Sequence, residues 1–434
     1  MGLYLIPSTK VCFINVKRQH KCGAAPTKTN IDFSSLIISM LLHMLVLVSL
    51  VYPINSLETS NHQLINQTFR SDEEFRNFKK MIAADLQRIN KPAVKTIHSP
   101  DGDIIDCVLT HKQPAFDHPL LKGQKPLDPP ERLRWHNQID NLSDIFQLWS
   151  LSGESCPEGT IPIRRTTEQD ILRAGSLNRF ERKFTDASNG HEHSVGYLEG
   201  GVYKGAKANL NVWAPHVESQ EFSLAQIWVL SGTFEKDLNS IEAGWQVSPQ
   251  LYGDNRPRIF IYWTADAYKH GCYNLKCPGF VQISKKFALG AGISPVSKYN
   301  GQQFDIILSI RKDPKDGNWW LNYGPGNGIA LGYWPSSLFT HLKDNADKIQ
   351  FGGEIINTKS SGSHTSTQMG SGHYAEEGNG KAAYINDIQV LDSNNKVIVS
   401  PDLKYFVESP NCYTIHKDGK YLYYGGPGRN QKCT

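Results

Sequence analysis

The sequence predicts a mainly β protein, a curved antiparallel β-sandwich preceded by a small α+β region. Two observations carry the sandwich. Beyond about Gly190, short alternating segments recur between Gly, Pro, Asn and Asp turns, among them Ala208–Trp213, Ser223–Leu230, Phe304–Ile310 and Ile385–Leu391. No long helical period follows Gly190. A third observation marks the boundary: residues 175–190 form a polar run punctuated by Arg179, Arg182 and Lys183, which reads as an exposed linker.

The 434 residues suffice for two domains with apolar cores. Lys and Arg total 46 against 42 Asp and Glu, a net charge of +4, so a dedicated nucleic-acid binder is excluded for want of a concentrated basic face. Leu36–Val51 is an apolar stretch of signal-peptide length, interrupted by His43 and followed by a weak cleavage pattern near Ser56. The expected layout is an N-terminal extension over 1–35, with Met40 as an alternative start, a signal peptide over 36–56, a small α+β region over 57–185 and the β-sandwich over 190–434. A membrane anchor through residues 36–51 is the alternative to secretion. Asn66-Gln-Thr68 and Asn141-Leu-Ser143 offer glycan acceptors in a secreted chain.

In chain order, Ser71–Asn90 reads as a helix with an apolar stripe of Phe75, Phe78, Met81, Ile82, Leu86 and Ile89. Thr96–Leu109 forms two strand-like pieces around Pro100-Asp-Gly102, Gln113–Pro130 is irregular, and Thr167–Arg173 is a short helix. The strand Arg258–Thr264 places Ile259 and Ile261 on one face and Phe260 and Tyr262 on the other, as expected of a strand buried between layers. Asp316-Gly317 marks a hairpin. Six of the eight cysteines follow the apolar stretch, an even number suited to an oxidising compartment. Cys107 pairs with Cys156, the only two between the apolar stretch and Gly190. Cys272 and Cys277 pinch a loop, and Cys412 and Cys433 clamp the C-terminal segment.

Most familiar catalytic motifs fail. Met369-Gly-Ser-Gly-His373 lacks the spacing of a nucleophile elbow, and His191-Glu-His193 has no partner histidine at helical spacing for zinc. No metal or cofactor site is expected. What remains is a pair of isolated glutamates in strand-like segments, Glu242 before Gly244-Trp245 and Glu354 after Gly352-Gly353. Two carboxyls close together in an apolar cleft cannot both ionise cheaply. One then takes a proton from water while the other hydrogen-bonds the developing oxyanion. On the residues alone, the competing reading is that Glu242 merely precedes a strand and Glu354 caps a bend.

A resemblance separates the two readings. Glu242-Ala-Gly-Trp-Gln-Val-Ser-Pro249, Leu251-Tyr-Gly-Asp254, Tyr262-Trp-Thr264, Gly271-Cys-Tyr-Asn274, Cys277-Pro-Gly-Phe280, Gly317-Asn-Trp-Trp-Leu321, Gly332-Tyr-Trp-Pro335, Gly352-Gly-Glu354 and Met369-Gly-Ser-Gly372 resemble the neprosin family of secreted plant glutamic peptidases. Asp106-Cys107, Lys112–Leu121 and Cys156–Arg165 resemble that family's activation peptide. The N-terminal extension departs from the pattern. The resemblance implies a secreted zymogen in the apoplast or cell wall and a removable prosegment that is the enzyme's own inhibitor. It further implies acid-dependent endopeptidase cleavage after proline in peptide or protein substrates, with Glu242 and Glu354 as catalytic residues. A monomer is expected. Tyr262, Trp263 and Trp334 are candidates for a wall that binds the proline ring. The alternative function is an inactive extracellular β-sandwich binding peptides or glycans through an aromatic groove of Trp263, Trp319, Trp320, Tyr333 and Trp334.

Overall fold

Alternation along Arg258–Thr264 sets the layering. Ile259, Ile261 and Trp263 enter the main core, while Phe260 and Tyr262 enter a second cluster on the opposite face. The computed structural model describes residues 72–131, 135, 146–174, 180, 181, 183, 190–326, 328–359 and 363–434. Residues 77–434 form one compact unit; of the other, Met1–Arg76, only the start of the helix Asp72–Ile89 is described. The apolar stretch Leu36–Val51, the sequons at Asn66 and Asn141, and Arg179 and Arg182 of the linker lie outside the described residues. No described helix is long and apolar enough to cross a membrane.

Among the described residues two large antiparallel sheets face each other. The first has seven strands in the order Gly271–Tyr273, Arg258–Thr264, Asn239–Val247, Ser223–Ser231, Ala346–Ile356, His191–Tyr203 and Lys404–Val407. The second has nine, with Gly205–Asn211 paired between Asp305–Lys312 and Ala383–Leu391 at its centre. Ala206, Ala208 and Leu210 from one sheet and Ile227, Ile241 and Phe351 from the other interdigitate between them, the packing that stabilises two-sheet folds. The Asp316-Gly317 turn joins Asp305–Lys312 to Trp319–Tyr323 as expected.

The first half supplies the helix Asp72–Ile89 and a three-stranded sheet of Ala93–His98, Ile104–Leu109 and Thr160–Arg164. Ile82 and Ile89 of the helix stripe are buried, but Met81 is exposed. The Cys107–Cys156 bond ties the small sheet to the segment before Thr160. This region does not stand apart from the sandwich. Ile161 joins the main core, and Phe146–Gln147 pairs with Ile293–Ser294. On the outer face of the nine-stranded sheet, Ala115 and Leu121 pack against Trp320 and Tyr333. The Gln113 amide there donates to Gln282 O at 2.9 Å and accepts from Gln282 N at 2.8 Å.

Candidate active site

The site lies on the outer face of the seven-stranded sheet and follows from register. Ser223–Ser231 runs between the two strands that carry the glutamates: Trp228 stands opposite Glu242, and Leu224 opposite Glu354. Residues of one parity face the core, so Glu242, Gln226 and Glu354 share the other face. Gln226 pairs with Gly244 on one side and Gly352 on the other. A Cβ on Gly244 would fall 1.9 Å from Ala225 O, and one on Gly352 would fall 2.2 Å from Ser194 O. The glycines beside each glutamate therefore keep the floor between the carboxylates free of side chains. Gly353 serves the opposite face, where a Cβ would meet the Tyr424 ring at 2.6 Å.

Both carboxylates are buried. Glu242 Oε2 accepts from Gln226 Nε2 at 2.8 Å, and its Oε1 accepts from Ser240 Oγ at 2.9 Å and Tyr268 Oη at 3.1 Å. Glu354 Oε1 lies 2.6 Å from His191 Nδ1, and its Oε2 lies 3.8 Å from His193 Nε2. His193 is held from behind by Glu408, 2.8 Å from its Nδ1. Tyr268 reaches Glu242 from a turn in which Ala267 and Tyr268 both take left-handed backbone, at φ 52° and 67°. Such a conformation is costly away from glycine, and it is held here by the Tyr268 amide donating to Thr264 Oγ1 at 2.8 Å.

A lysine from the linker closes the arrangement. Lys183 Nζ donates to Glu354 Oε2 at 2.7 Å and to Glu242 Oε2 at 3.1 Å, with its side chain 4% exposed. Burial opposes the ammonium, but the two glutamates outweigh it and raise Lys183 well above the ordinary lysine range. Burial likewise pushes the Glu354 carboxyl up; Lys183, then His193 and His191, overcome this and hold it well below the ordinary carboxylate range. The result is one ammonium bridging two carboxylates, with the His191 and His193 rings on the Glu354 side.

Of the residues expected to line the site, Tyr262 does so: its hydroxyl accepts from the Lys183 amide at 3.4 Å, and its ring packs against Tyr268 and Tyr273. Trp263 and Trp334 do not. Both side chains are buried in the core between the sheets, Trp263 edge-on to Phe339 and Trp334 edge-on to Phe280, because each follows an outward residue in a strand. Cys272–Cys277 and Cys412–Cys433 are bonded. Sequence reasoning passed over Gln226, Ser240, Tyr268, His191 and His193 as site residues. The His191-x-His193 spacing was the available signal, since period two puts both rings on one face of a strand.

The chain matches the model of the neprosin domain over residues 219–427 and that of the neprosin activation peptide over residues 96–197. It belongs to the neprosin family. The activation-peptide match contains Lys183, His191 and His193, and the domain match contains both glutamates. A neprosin domain behind its activation peptide is the layout of a peptidase zymogen. Among solved structures, the chain is similar to scytalido-glutamic peptidase with a peptide-based transition-state analog, at 10% identity over 54% of this chain and 98% of that one, with a TM-score of 0.30. It is also similar to SCP-B, a member of the eqolisin family of peptidases in complex with the tripeptide Ala-Ile-His, at 12% identity over 54% and 96%, with a TM-score of 0.31.

Proposed function

We propose that this chain is the secreted zymogen of a glutamic endopeptidase that cleaves after proline at acidic pH, with Glu242 and Glu354 activating water. The observation that carries the reading is the single Lys183 ammonium bonded to both carboxylates from the activation side of the chain. While it stays, no water or peptide carbonyl reaches the pair. When it leaves, two buried carboxyls share one proton and titrate as a unit. His191 and His193 bias the negative charge toward Glu354. The ionised carboxyl takes a proton from water as the new bond forms to the peptide carbon. The protonated one donates to the developing oxyanion, and the C–N bond then breaks as the leaving nitrogen is protonated. Gln226 holds Glu242 through its amide N–H, and its buried Oε1 has no partner among the described residues and can accept from the attacking water.

Acid release follows from the sign of the shifts. The Glu354 carboxyl is depressed while Lys183 is bound, so the lock is fully present above the ordinary carboxylate pKa of about 4.3 and is lost as pH falls below it. Secretion agrees with three disulfides in the part of the chain after residue 56. The preference for proline is proposed on the family resemblance. Of the aromatic groove that an inactive binder would use, Trp263, Trp319 and Trp334 lie in the core between the sheets, and Trp320 and Tyr333 lie under Ala115 and Leu121 of the activation region on the sheet opposite the glutamates, so the five share no one groove.

The test is to acidify the purified full chain and follow self-shortening together with hydrolysis of a proline-containing peptide. Both should appear below about pH 4. A folded chain that stays inert at every pH contradicts the function.

A further inference from the structure

The linker makes a second insertion into the same face of the sandwich. Phe180, three residues before Lys183, is fully buried among Leu251, Tyr252, Phe260 and Tyr273. Lys276 lies over its ring, Nζ 3.4 Å from the centroid, and the same Nζ donates to Phe180 O at 3.3 Å. Tyr252 and Tyr273 complete a cage about the ammonium at 5.7 and 6.0 Å. No described carboxylate forms an ion pair with Lys276, an unusual state for a buried lysine. Burial pushes it well below the ordinary lysine range, against the more distant attraction of Asp170. Its position is fixed by the loop that the Cys272–Cys277 bond closes.

While the linker is in place, the buried ammonium has three ring faces and, among the described residues, one backbone carbonyl to offset its lost hydration; when the linker departs, Tyr252 and Tyr273 remain and the places of the Phe180 ring and carbonyl fall open. An aromatic residue of a bound peptide supplies both. We propose that the pocket filled by Phe180 is a substrate subsite for an aromatic side chain, in which Lys276 reads the ring and the carbonyl of that residue. In this arrangement the linker occupies the cleft as a peptide would, with Lys183 at the glutamates and Phe180 anchored three residues away. The distance from the scissile position rests on the catalytic reading of Glu242 and Glu354; the pocket itself does not.

Binding separates the two. The full chain carrying Phe180→Ala and Lys183→Ala vacates the cleft, and circular dichroism with thermal melting checks that it folds. A labelled peptide of residues 178–185, Asn-Arg-Phe-Glu-Arg-Lys-Phe-Thr, should bind this chain at neutral pH. Its counterpart with alanine at the position of Phe180 should bind roughly 10- to 100-fold more weakly, the equivalent of burying a phenylalanine ring. Adding Lys276→Met should narrow that difference to a few-fold. Equal affinity of the two peptides, or binding of neither, overturns the subsite. In a second arm at about pH 4, proline peptides carrying Phe or Ala three residues to either side of the cleaved bond should differ chiefly in KM. Hydrolysis without that discrimination sinks the subsite and leaves the catalytic reading. Discriminating peptide binding without hydrolysis supports the pocket and sinks the catalytic reading.

Discussion

Two buried ion clusters join the activation region to the sandwich, and they differ in what each leaves behind. At the first, Lys183 bridges Glu242 and Glu354. At the second, Asp103 of the small sheet accepts from Arg258 Nη1 of the catalytic domain at 2.5 Å and from Arg164 Nε at 2.8 Å. Removing Asp103 leaves Arg258 with Asp254 at 2.7 Å, the Gly290 carbonyl at 2.8 Å and the Tyr252 ring. Removing Lys183 leaves two carboxylates facing each other with no other described lysine or arginine paired to either. On the proposed function the first cluster is the lock on the chemistry, and the second holds the activation region to the sandwich. Breaking a buried pair by deleting one partner costs about 3–5 kcal/mol when the remaining charge is uncompensated, and less when other partners remain.

That contrast orders the expected effects. Lys183→Met should be the most disruptive to latency. The unprocessed full chain should hydrolyse a proline peptide near pH 5, where the wild-type chain is silent, with a rise of at least ~10-fold, as expected when a cost of several kcal/mol falls on the closed state. Silence of the variant at that pH would mean that the backbone of the linker, not the lysine charge, blocks the cleft. Asp103→Asn should act in the same direction but less strongly, by about 1.5–3 kcal/mol, the worth of a hydrogen bond to a charged group. Its sign can be worked out. Burial raises the Asp103 carboxyl, but Arg258 and Arg164 prevail and hold it below its ordinary value. Its contribution is thus present above about pH 3.9 and lost below it, and the variant should release the activation region at higher pH than wild type. Native gels of the acid-incubated chains would report this. His193 titrates with the opposite sign: burial opposes its charge, but Glu354 and Glu408 outweigh it, so its attraction for them is full below about pH 6.5 and fades only as pH rises. The smallest effect belongs to the paired Cys272→Ser and Cys277→Ser change. Its loop is far shorter than the 15 residues for which closure is worth about 3 kcal/mol, so the melting temperature should fall little while binding of the linker peptide weakens more.

The sheet face that carries the two glutamates was only half legible in the sequence. Alternation in Arg258–Thr264 correctly separates Ile259 and Ile261 from Phe260 and Tyr262, because a strand has only two faces. The same rule, carried one residue further, puts Trp263 in the core, and aromatic character alone was a poor guide to the cleft. Glu242 and Glu354 stand out as isolated acids, but their meeting depends on Ser223–Ser231 pairing between their strands, a long-range register that no local pattern encodes. His191 and His193 reach Glu354 by the same route, from a strand more than 150 residues away. Lys183 belonged to a polar run that reads as an exposed linker, yet Phe180 and Lys183 are buried, because the pocket and the carboxylates that receive them come from distant strands. Phe180 carried no signal at all, since one aromatic in a polar linker has no period to belong to.

The most direct test is the turnover of acid-treated Glu242→Gln and Glu354→Gln chains beside wild type. Each change preserves shape but removes the exchangeable proton. Each should lower turnover by at least ~10²-fold, the lower end of what a positioned acid or base contributes. The double variant should be little worse than either single one, because groups acting as a unit are not additive. A folded Glu354→Gln chain that cleaves at the wild-type rate would contradict the account.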